Sequence, residues 1–129
     1  MILLDTQAVV WLTYQPDRLS RLAASAIRRA RRSDGIAISA ITLWEFAWLL
    51  NAGLASVNGT VEATIEEVAS LFSVRSITPR IAAQASQFGS DYPNDPGDRI
   101  IGATALVEGM TLVTSDATLR RSRYLRTLW

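Results

Sequence analysis

The first twelve residues, MILLDTQAVVWL (residues 1–12), join one short apolar run directly to another. Residues 2–4 are bulky and aliphatic, and the run stops at Asp5 and Thr6, which is the pattern of a short buried strand. Apolar residues return at 8–12, where the chain turns to a second element. Asp5 therefore stands at the point where the first predicted strand ends.

The same alternation continues along the chain. Further strands are predicted at residues 36–39, 74–77, 110–114 and 124–129, and helices at residues 20–32, 42–50, 61–72, 80–88 and 98–108. Short apolar strands that alternate with helices predict an α/β fold, with a central, mostly parallel sheet flanked by helices. No linker or repeat interrupts residues 1–129, so we expect one domain.

Composition limits the classes of protein that the chain can belong to. Its 129 residues are 49% hydrophobic and 19% charged, which is typical of a globular domain with a real core. No apolar run approaches the ~20 residues of a membrane span, and no signal-peptide pattern opens the chain. The absence of cysteine excludes disulfides and thiolate sites and fits a cytoplasmic protein.

Two further absences bear on chemistry. The chain has no histidine, which removes the commonest general base and the commonest zinc ligand. All 13 basic residues are arginine, and the net charge is only +1. Any attraction to nucleic acid must therefore come from local patches and not from the overall charge.

Four acidic residues are predicted to meet at one edge of the sheet. Asp5 and Asp116 each follow a strand, Glu45 lies in the first turn of the helix after the second strand, and Asp98 opens a later helix. In open α/β sheets, ligands bind outside the carboxyl ends of the strands. Clustered carboxylates repel one another unless a positive charge lies between them.

Each acid also has a purely structural explanation as a helix cap. Asp5 and Asp116 would each cap the helix or turn that comes next in the chain, and a capping box would pair Glu45 with Thr42. In YPNDPGDRIIGATAL (residues 92–106), an aspartate before proline predicts a cap at residue 95. Asp98 then lies at the third helical position, where a negative charge favours the helix dipole. Convergence of all four acids is harder to explain by capping alone.

The group that would relieve this repulsion is a divalent cation. Carboxylate oxygens without histidine or cysteine suit hard cations such as Mg²⁺ or Mn²⁺. A cation in such a site can lower the pKa of a water molecule and neutralise charge on phosphate oxygens, which is nuclease chemistry.

The segments LLDTQAVVW, SAITLWEF, DPGDRIIGATAL and TLVTSDATL resemble, in order and spacing, the successive motifs of PIN-domain ribonucleases. The resemblance runs from residue 3 to about residue 119 and is greatest to the VapC-type toxins of bacterial toxin–antitoxin pairs. It implies a Mg²⁺- or Mn²⁺-dependent endoribonuclease, usually a homodimer, that is inhibited by a small antitoxin encoded beside it. The acidic site carried over from the family consists of Asp5, Glu45, Asp98 and Asp116, as catalytic and metal-binding residues.

The resemblance also assigns roles around these acids. Thr114 and Ser115 lie where the family has polar residues that support the site, and Asp95 takes the place of a mainly structural aspartate. The sequence departs from the family pattern at Gly97, where phenylalanine is common, and at Gln7, where histidine is common. At the position of Ser115, arginine is one of the residues that are common in the family. None of these is a metal-ligand position, so the departures bear on substrate fit.

The remaining features have two interpretations each. The arginines between residues 28 and 32 are either an RNA-facing patch or a solvated helix face. Arg99 is a candidate for contact with a phosphate or with a site carboxylate. Trp11, Trp44 and Trp48 are core residues by default, and Trp11 and Trp48 are also candidates for an exposed groove that binds a partner helix.

We compared three functional hypotheses. The first is a metal-dependent RNA endonuclease that acts as a toxin, with RNA as substrate and an antitoxin as partner. The alternative is a catalytically silent PIN-like module that binds RNA or protein, against which the presence of all four acids argues. An aspartate-nucleophile phosphatase is excluded because Gln7 stands where such enzymes place a second aspartate, two residues after the first, and because no lysine is available.

Overall fold

The structure is a computed structural model that describes residues 1–55, 57 and 59–129. Its strands are β1 (Ile2–Leu4), β2 (Ile36–Ser39), β3 (Ser73–Arg75), β4 (Thr111–Val113) and β5 (Thr127–Leu128). Its α-helices are α1 (Thr6–Tyr14), α2 (Arg21–Arg31), α3 (Ala40–Asn51), α4 (Val61–Ser70), α5 (Pro79–Gln87), α6 (Pro96–Glu108) and α7 (Ala117–Arg120), with a 3₁₀ turn at Pro16–Arg18.

The five strands form one parallel sheet in the order β3-β2-β1-β4-β5. Strand β1 lies at its centre, where Leu3 is aligned with Ala37 of β2 and with Leu112 of β4. The carboxyl ends of all the strands therefore meet at one edge of the sheet. The elements that follow β1, β2 and β4 all begin at this edge.

Alternation along the central strands divides the core between two faces of the sheet. Leu3, Ala37 and Leu112 pack with residues of α5 and α6. Leu4, Ile38 and Val113 point the other way and pack with α1, α2, α3 and α4. Both faces of the sheet are thus covered by helices, as parallel sheets require.

The predicted α/β fold with a parallel sheet is confirmed. Strands β1 and β2 have the predicted bounds, whereas the strand predicted at 74–77 lies at Ser73–Arg75 because Thr78 and Pro79 begin the next helix. Helix α7 was not predicted as a helix, since its four residues are too few to show a periodic pattern. Over the described residues, no helix is long and apolar enough to cross a membrane.

The arginine run lies far from the acids. Helix α2 ends at Arg31 and the chain then enters β2 at Ile36, so the run is at the amino end of the strands. Arg28, Arg29 and Arg31 form the exposed last turn of α2, where cations favour the helix dipole. This position favours the solvated-face interpretation for the run.

Candidate active site

Asp5 is held in a fixed orientation at the carboxyl end of β1. It caps α1, because its Oδ1 accepts a hydrogen bond from the Ala8 backbone N–H at 2.8 Å. Its Oδ2 accepts a short hydrogen bond from the Thr114 hydroxyl. Only 8% of Asp5 is exposed, and this burial raises the pKa of its carboxyl, as do the neighbouring acids Asp116 and Glu45.

Glu45 lies two residues further into its helix than we predicted, because α3 begins at Ala40 and not at Thr42. Helix α3 is capped by Ser39, so Glu45 is in the second turn, and the capping box predicted with Thr42 is wrong. The Glu45 Oε1 instead accepts a hydrogen bond from the Thr6 hydroxyl at 2.6 Å. Burial raises the pKa of the Glu45 carboxyl, and the charge of Asp95 raises it further.

The two threonines act together on Glu45. The Thr6 hydroxyl has one proton, which it donates in its hydrogen bond to the Glu45 carboxylate. The Thr42 hydroxyl is therefore the donor in the 3.0 Å hydrogen bond between the two threonines. Thr42 is fully buried, and this chain of hydrogen bonds satisfies its hydroxyl. The pair therefore links the start of α1 to the functional face of α3.

Helix α6 presents Asp98 at its first turn, as predicted. Asp95 caps the helix by accepting a hydrogen bond from the Asp98 backbone N–H at 3.0 Å, and Pro96 occupies the first helical position. Burial raises the pKa of the Asp98 carboxyl to about 7, and the charges of Asp95, Asp116, Glu45 and Asp5 add to this shift. The Asp98 carboxyl is therefore about half protonated at neutral pH.

Asp116 follows β4 and caps α7, with its Oδ1 accepting a hydrogen bond from the Leu119 backbone N–H at 3.0 Å. The Asp116 backbone N–H donates to the Thr114 hydroxyl oxygen at 3.1 Å. Because the same hydroxyl donates to Asp5, Thr114 ties two of the acids together. Thr114 thus contacts two of the acids, as expected for a polar residue that supports the site.

The four predicted acids line a single open cleft of about 510 Å³. Its other lining residues are Thr6, Gln7, Trp44, Trp48, Leu49, Ile101 and Ser115, and none of these described residues is basic. Over the described residues, however, no three acidic side chains already surround one point as metal ligands. The cleft thus concentrates negative charge, and the carboxylates would have to rotate to share one ion.

Gly97 lies directly beneath the Glu45 carboxylate. A Cβ atom added at Gly97 would lie 2.5 Å from the Glu45 Oε2 and 3.1 Å from the Asp95 Oδ2. The first distance is shorter than van der Waals contact, so any side chain at this position would displace the Glu45 carboxylate. The departure from the family pattern at Gly97 therefore gives the Glu45 carboxylate its place against the first turn of α6.

Arg99 does not reach the carboxylates. Its guanidinium donates to the backbone carbonyls of Pro93 at 2.9 Å, Ala85 at 3.0 Å and Phe88 at 3.3 Å. It therefore ties the loop before α6 to the end of α5. The expectation that Arg99 contacts a site carboxylate is wrong, because all three of its hydrogen bonds go to backbone carbonyls outside the acidic cleft.

The early tryptophans separate into two groups. Trp44 and Trp48 lie on one face of α3, are 64% and 56% exposed, and form a wall of the acidic cleft. Trp11 is half-buried and packs against Trp129, with ring centroids 5.6 Å apart. The predicted groove therefore includes Trp48 together with Trp44, but not Trp11.

Thr6, Thr42 and Gly97 are site residues whose roles were not identified from the sequence. Thr6 directly follows Asp5 at the end of β1, and that adjacency is a signal that could have identified it. The contact between Thr6 and Glu45 joins residues 39 positions apart, which no local pattern reveals.

Comparison with known proteins agrees with this geometry. The family model of the PIN domain matches residues 2–123. The chain is 38% identical to ribonuclease VapC22 of Mycobacterium tuberculosis over 130 residues, which cover 99% of this chain and 98% of that protein.

Solved structures share the fold at lower sequence identity. One is VapBC2 from Rickettsia felis bound to a DNA fragment from its promoter, with a TM-score of 0.76 and 17% identity, covering 99% of this chain and 98% of that chain. Another is DNA-bound VapBC from Salmonella typhimurium, with a TM-score of 0.72 and 21% identity over the same shares of the two chains. The chain therefore belongs to the PIN domain family, and VapC22 is one of its relatives within that family.

Proposed function

We propose that this chain is a Mg²⁺- or Mn²⁺-dependent endoribonuclease that acts as the toxin of a type II toxin–antitoxin pair. The observation that carries the proposal is the convergence of Asp5, Glu45, Asp98 and Asp116 from four separate parts of the chain on one open cleft. The ribonuclease name of a relative that covers nearly the whole chain supports the same reaction class.

The residues of the cleft fit a hard divalent cation. Its donor atoms are carboxylate and hydroxyl oxygens, the ligand type that Mg²⁺ and Mn²⁺ prefer. Burial is the main cause of the raised pKa values of Asp5, Glu45 and Asp98, and the charges of neighbouring acids raise them further. A bound cation would lower the pKa of a water molecule and neutralise charge on the scissile phosphate.

Residues of the chain itself orient the carboxylates that would hold the cation. Thr114 and the Ala8 backbone N–H fix the orientation of the Asp5 carboxylate. Thr6 does the same for Glu45 from the other side of the cleft. Asp98 would hold the cation as a carboxylate, so cation binding would release the proton that its raised pKa retains near neutral pH.

The Trp44–Trp48 wall of the cleft is the surface proposed for the antitoxin. Two large exposed indole rings beside a cluster of carboxylates suit a partner segment that is apolar along one side and carries an arginine. The apolar side would cover the rings, and the guanidinium would pair with the carboxylates. The solved VapBC complexes with the same fold are consistent with a cognate antitoxin.

Two further parts of the proposal come from the family resemblance. We expect a homodimer, which light scattering of the purified chain would show as a mass of twice 14.1 kDa. We also expect the chain to act in the cytoplasm, where the RNA that a toxin of this kind cuts is found.

A cleavage assay tests the proposed reaction. The purified chain is incubated with single-stranded RNA and Mg²⁺ or Mn²⁺, with a chelator in a parallel reaction. Attack of water on phosphorus with departure of the 3′-oxygen leaves a 5′-phosphate and a 3′-hydroxyl. Metal-free attack by the 2′-hydroxyl leaves a 2′,3′-cyclic phosphate instead.

Cleavage that stops in chelator and yields 5′-phosphates supports the proposal. Cleavage that continues in chelator with cyclic ends contradicts the proposed mechanism. RNA binding without cleavage under all conditions would favour the alternative, a catalytically silent module.

A further inference from the structure

A second tryptophan surface lies on the other side of the carboxylates. It consists of Trp11, Arg18, Arg120, Arg121 and Trp129, and we refer to it as the cationic aromatic surface. The rings of Trp11 and Trp129 pack at 5.6 Å between centroids, and the Arg18 guanidinium lies 4.7 Å from the Trp11 centroid. One cation–π contact is thus already present in this surface.

A depression of about 510 Å³ adjoins the Trp129 ring. Its lining consists of Leu22, Ala117, Arg120, Arg121, Thr127, Leu128 and Trp129, and contains no acid among the described residues. The exposed side chains of Arg120 and Arg121 form no hydrogen bond or ion pair with another residue in the described parts of the chain. Their charges are therefore available to a ligand.

The surface begins about one helical turn from the acidic cleft. Helix α7 starts from its cap Asp116 and ends at Arg120, a distance of roughly 6 Å along the axis. On the other side, the Thr114 backbone N–H donates to the Leu128 carbonyl at 3.2 Å, so Trp129 follows directly beside Thr114. The same Thr114 holds Asp5, which places Trp129 at the edge of the sheet that carries the acids.

Arginines beside the half-buried indole ring of Trp129, which lines an open depression, match the chemistry of single-stranded nucleic acid. Guanidinium groups bind phosphates, and indole rings stack on bases of any sequence. An apolar protein segment would leave Arg120 and Arg121 without partners, whereas a polynucleotide satisfies both kinds of group. The acidic cleft has no such positive group among its described lining residues and needs one beside it to retain a polyanion.

We propose that the cationic aromatic surface binds the single-stranded RNA next to the nucleotide that is cut. Arg120 and Arg121 bind successive phosphates, Trp129 stacks on a base, and Trp11 with Arg18 supports Trp129 from behind. The proposal rests on the proposed ribonuclease function, and it states which surface the RNA strand follows outside the cleft.

The test compares two pairs of exposed arginines. A fluorescent single-stranded RNA is titrated with the Asp98→Asn chain, which is expected to cut it too slowly to matter, and binding is followed by anisotropy at several salt concentrations. Arg120→Ala with Arg121→Ala is expected to lower affinity at least tenfold. The slope of log affinity against log salt should fall by about 1.4, because each phosphate contact on a single strand contributes about 0.7.

The matched control is Arg29→Ala with Arg32→Ala, which removes the same charge at the opposite edge of the sheet. We expect this pair to change affinity less than twofold. Trp129→Ala should lower affinity about tenfold through lost stacking, and Trp129→Phe should retain most of it. Thermal unfolding curves show that each variant is folded.

Equal losses in both arginine pairs, or no loss in either, would overturn the proposal. A loss of antitoxin affinity in place of RNA affinity would also overturn it and would make the surface a protein interface. The ribonuclease proposal is tested separately by cleavage. If the wild-type chain cuts RNA and the Arg120→Ala, Arg121→Ala chain cuts it with unchanged KM, the surface is wrong but the reaction stands. If nothing is cut while the binding difference persists, the reverse holds.

Discussion

The two tryptophan surfaces that border the carboxylates differ in the charge beside them. Trp44 and Trp48 stand over acids, with no basic residue among the described residues of their cleft. Trp129 lies among arginines, with no acid in the described lining of its depression. Indole rings bind many partners, so the neighbouring charge decides between them. The acidic side suits a cationic protein segment, and the basic side suits a polyanion.

This difference matters only if the acids are the reactive centre. Asp98→Asn is expected to lower RNA cleavage on the order of 1,000-fold, because a ligand for the cation that stabilises phosphate charge is lost. Asp95→Asn is the matched control, since asparagine caps a helix about as well as aspartate. Rates of cleavage of a labelled RNA give both numbers. Similar losses in the two variants would show that our separation of their roles is wrong.

The contrast between the two surfaces is probed by changing one tryptophan on each side. Trp48→Ala should weaken antitoxin binding by about 2 kcal/mol, or roughly 30-fold, as expected for a hot-spot tryptophan. Cleavage of RNA by the free chain should be largely kept, because Trp48 is exposed and not part of the core. Calorimetric titration of the antitoxin and a cleavage assay measure the two effects.

Trp129→Ala should have the opposite pattern, with RNA affinity lost and antitoxin affinity kept. Parallel losses of thermal stability and cleavage in Trp48→Ala, with antitoxin binding unchanged, would make Trp48 an ordinary structural residue. The two surfaces would then not differ in the way we describe.

Gly97 tests whether the acidic side depends on a precise position of Glu45. Gly97→Ala places a methyl group 2.5 Å from the Glu45 Oε2 and should lower cleavage about tenfold by displacing that carboxylate. Adding Glu45→Asp shortens the side chain by one methylene and should restore part of the loss. Cleavage rates of the two single variants and the double variant form the cycle. Strictly additive losses would show that the two positions do not interact.

The smallest effect concerns the charge on Asp98 in the absence of a cation. Its pKa is raised from 3.8 to about 7 in the folded chain, so the folded state binds its proton more tightly than the unfolded state. Stability is therefore greatest below pH 4 for this group and is lost as the pH rises toward about 7. Asp98→Asn removes this loss and should stabilise the chain above pH 7 by about 1–2 kcal/mol after allowance for solvent screening.

Urea unfolding of both chains in chelator, at pH values from 4 to 8, measures this difference. The two chains should be closest in stability at the lowest pH and diverge as the pH rises. A constant difference across the range would show that the pKa of the Asp98 carboxyl is not raised in the folded chain.

Some of this arrangement was visible in the sequence because it is local. Strands β1 and β2 have the predicted bounds, since each is a short apolar run between polar residues. Asp5 directly follows β1 and Asp116 lies three residues past the end of β4, so a parallel sheet brings them to one edge. These features need only the period of the side chains and the general geometry of parallel sheets.

The remainder depends on tertiary packing. Ser39 and Thr42 are both good helix caps, and only the structure shows that Ser39 is the one used, because α3 begins at Ala40 and the Ser39 hydroxyl accepts from the Ile41 backbone N–H. The hydrogen bond from Thr6 to Glu45 and the space above Gly97 join distant segments. The separation of Trp11 from Trp48 likewise comes from packing against Trp129 at the far end of the chain.

Cation binding by the cleft is the claim on which the other proposals depend, and a calorimetric titration of Mn²⁺ into the chain tests it. We expect saturable binding by the wild-type chain, with release of protons near pH 7 as the Asp98 carboxyl ionises. Asp95→Asn should bind Mn²⁺ as the wild type does, and Asp98→Asn should bind it at least tenfold more weakly. Absence of saturable binding, or equal binding by the Asp98→Asn chain, would contradict a cation site built from these acids.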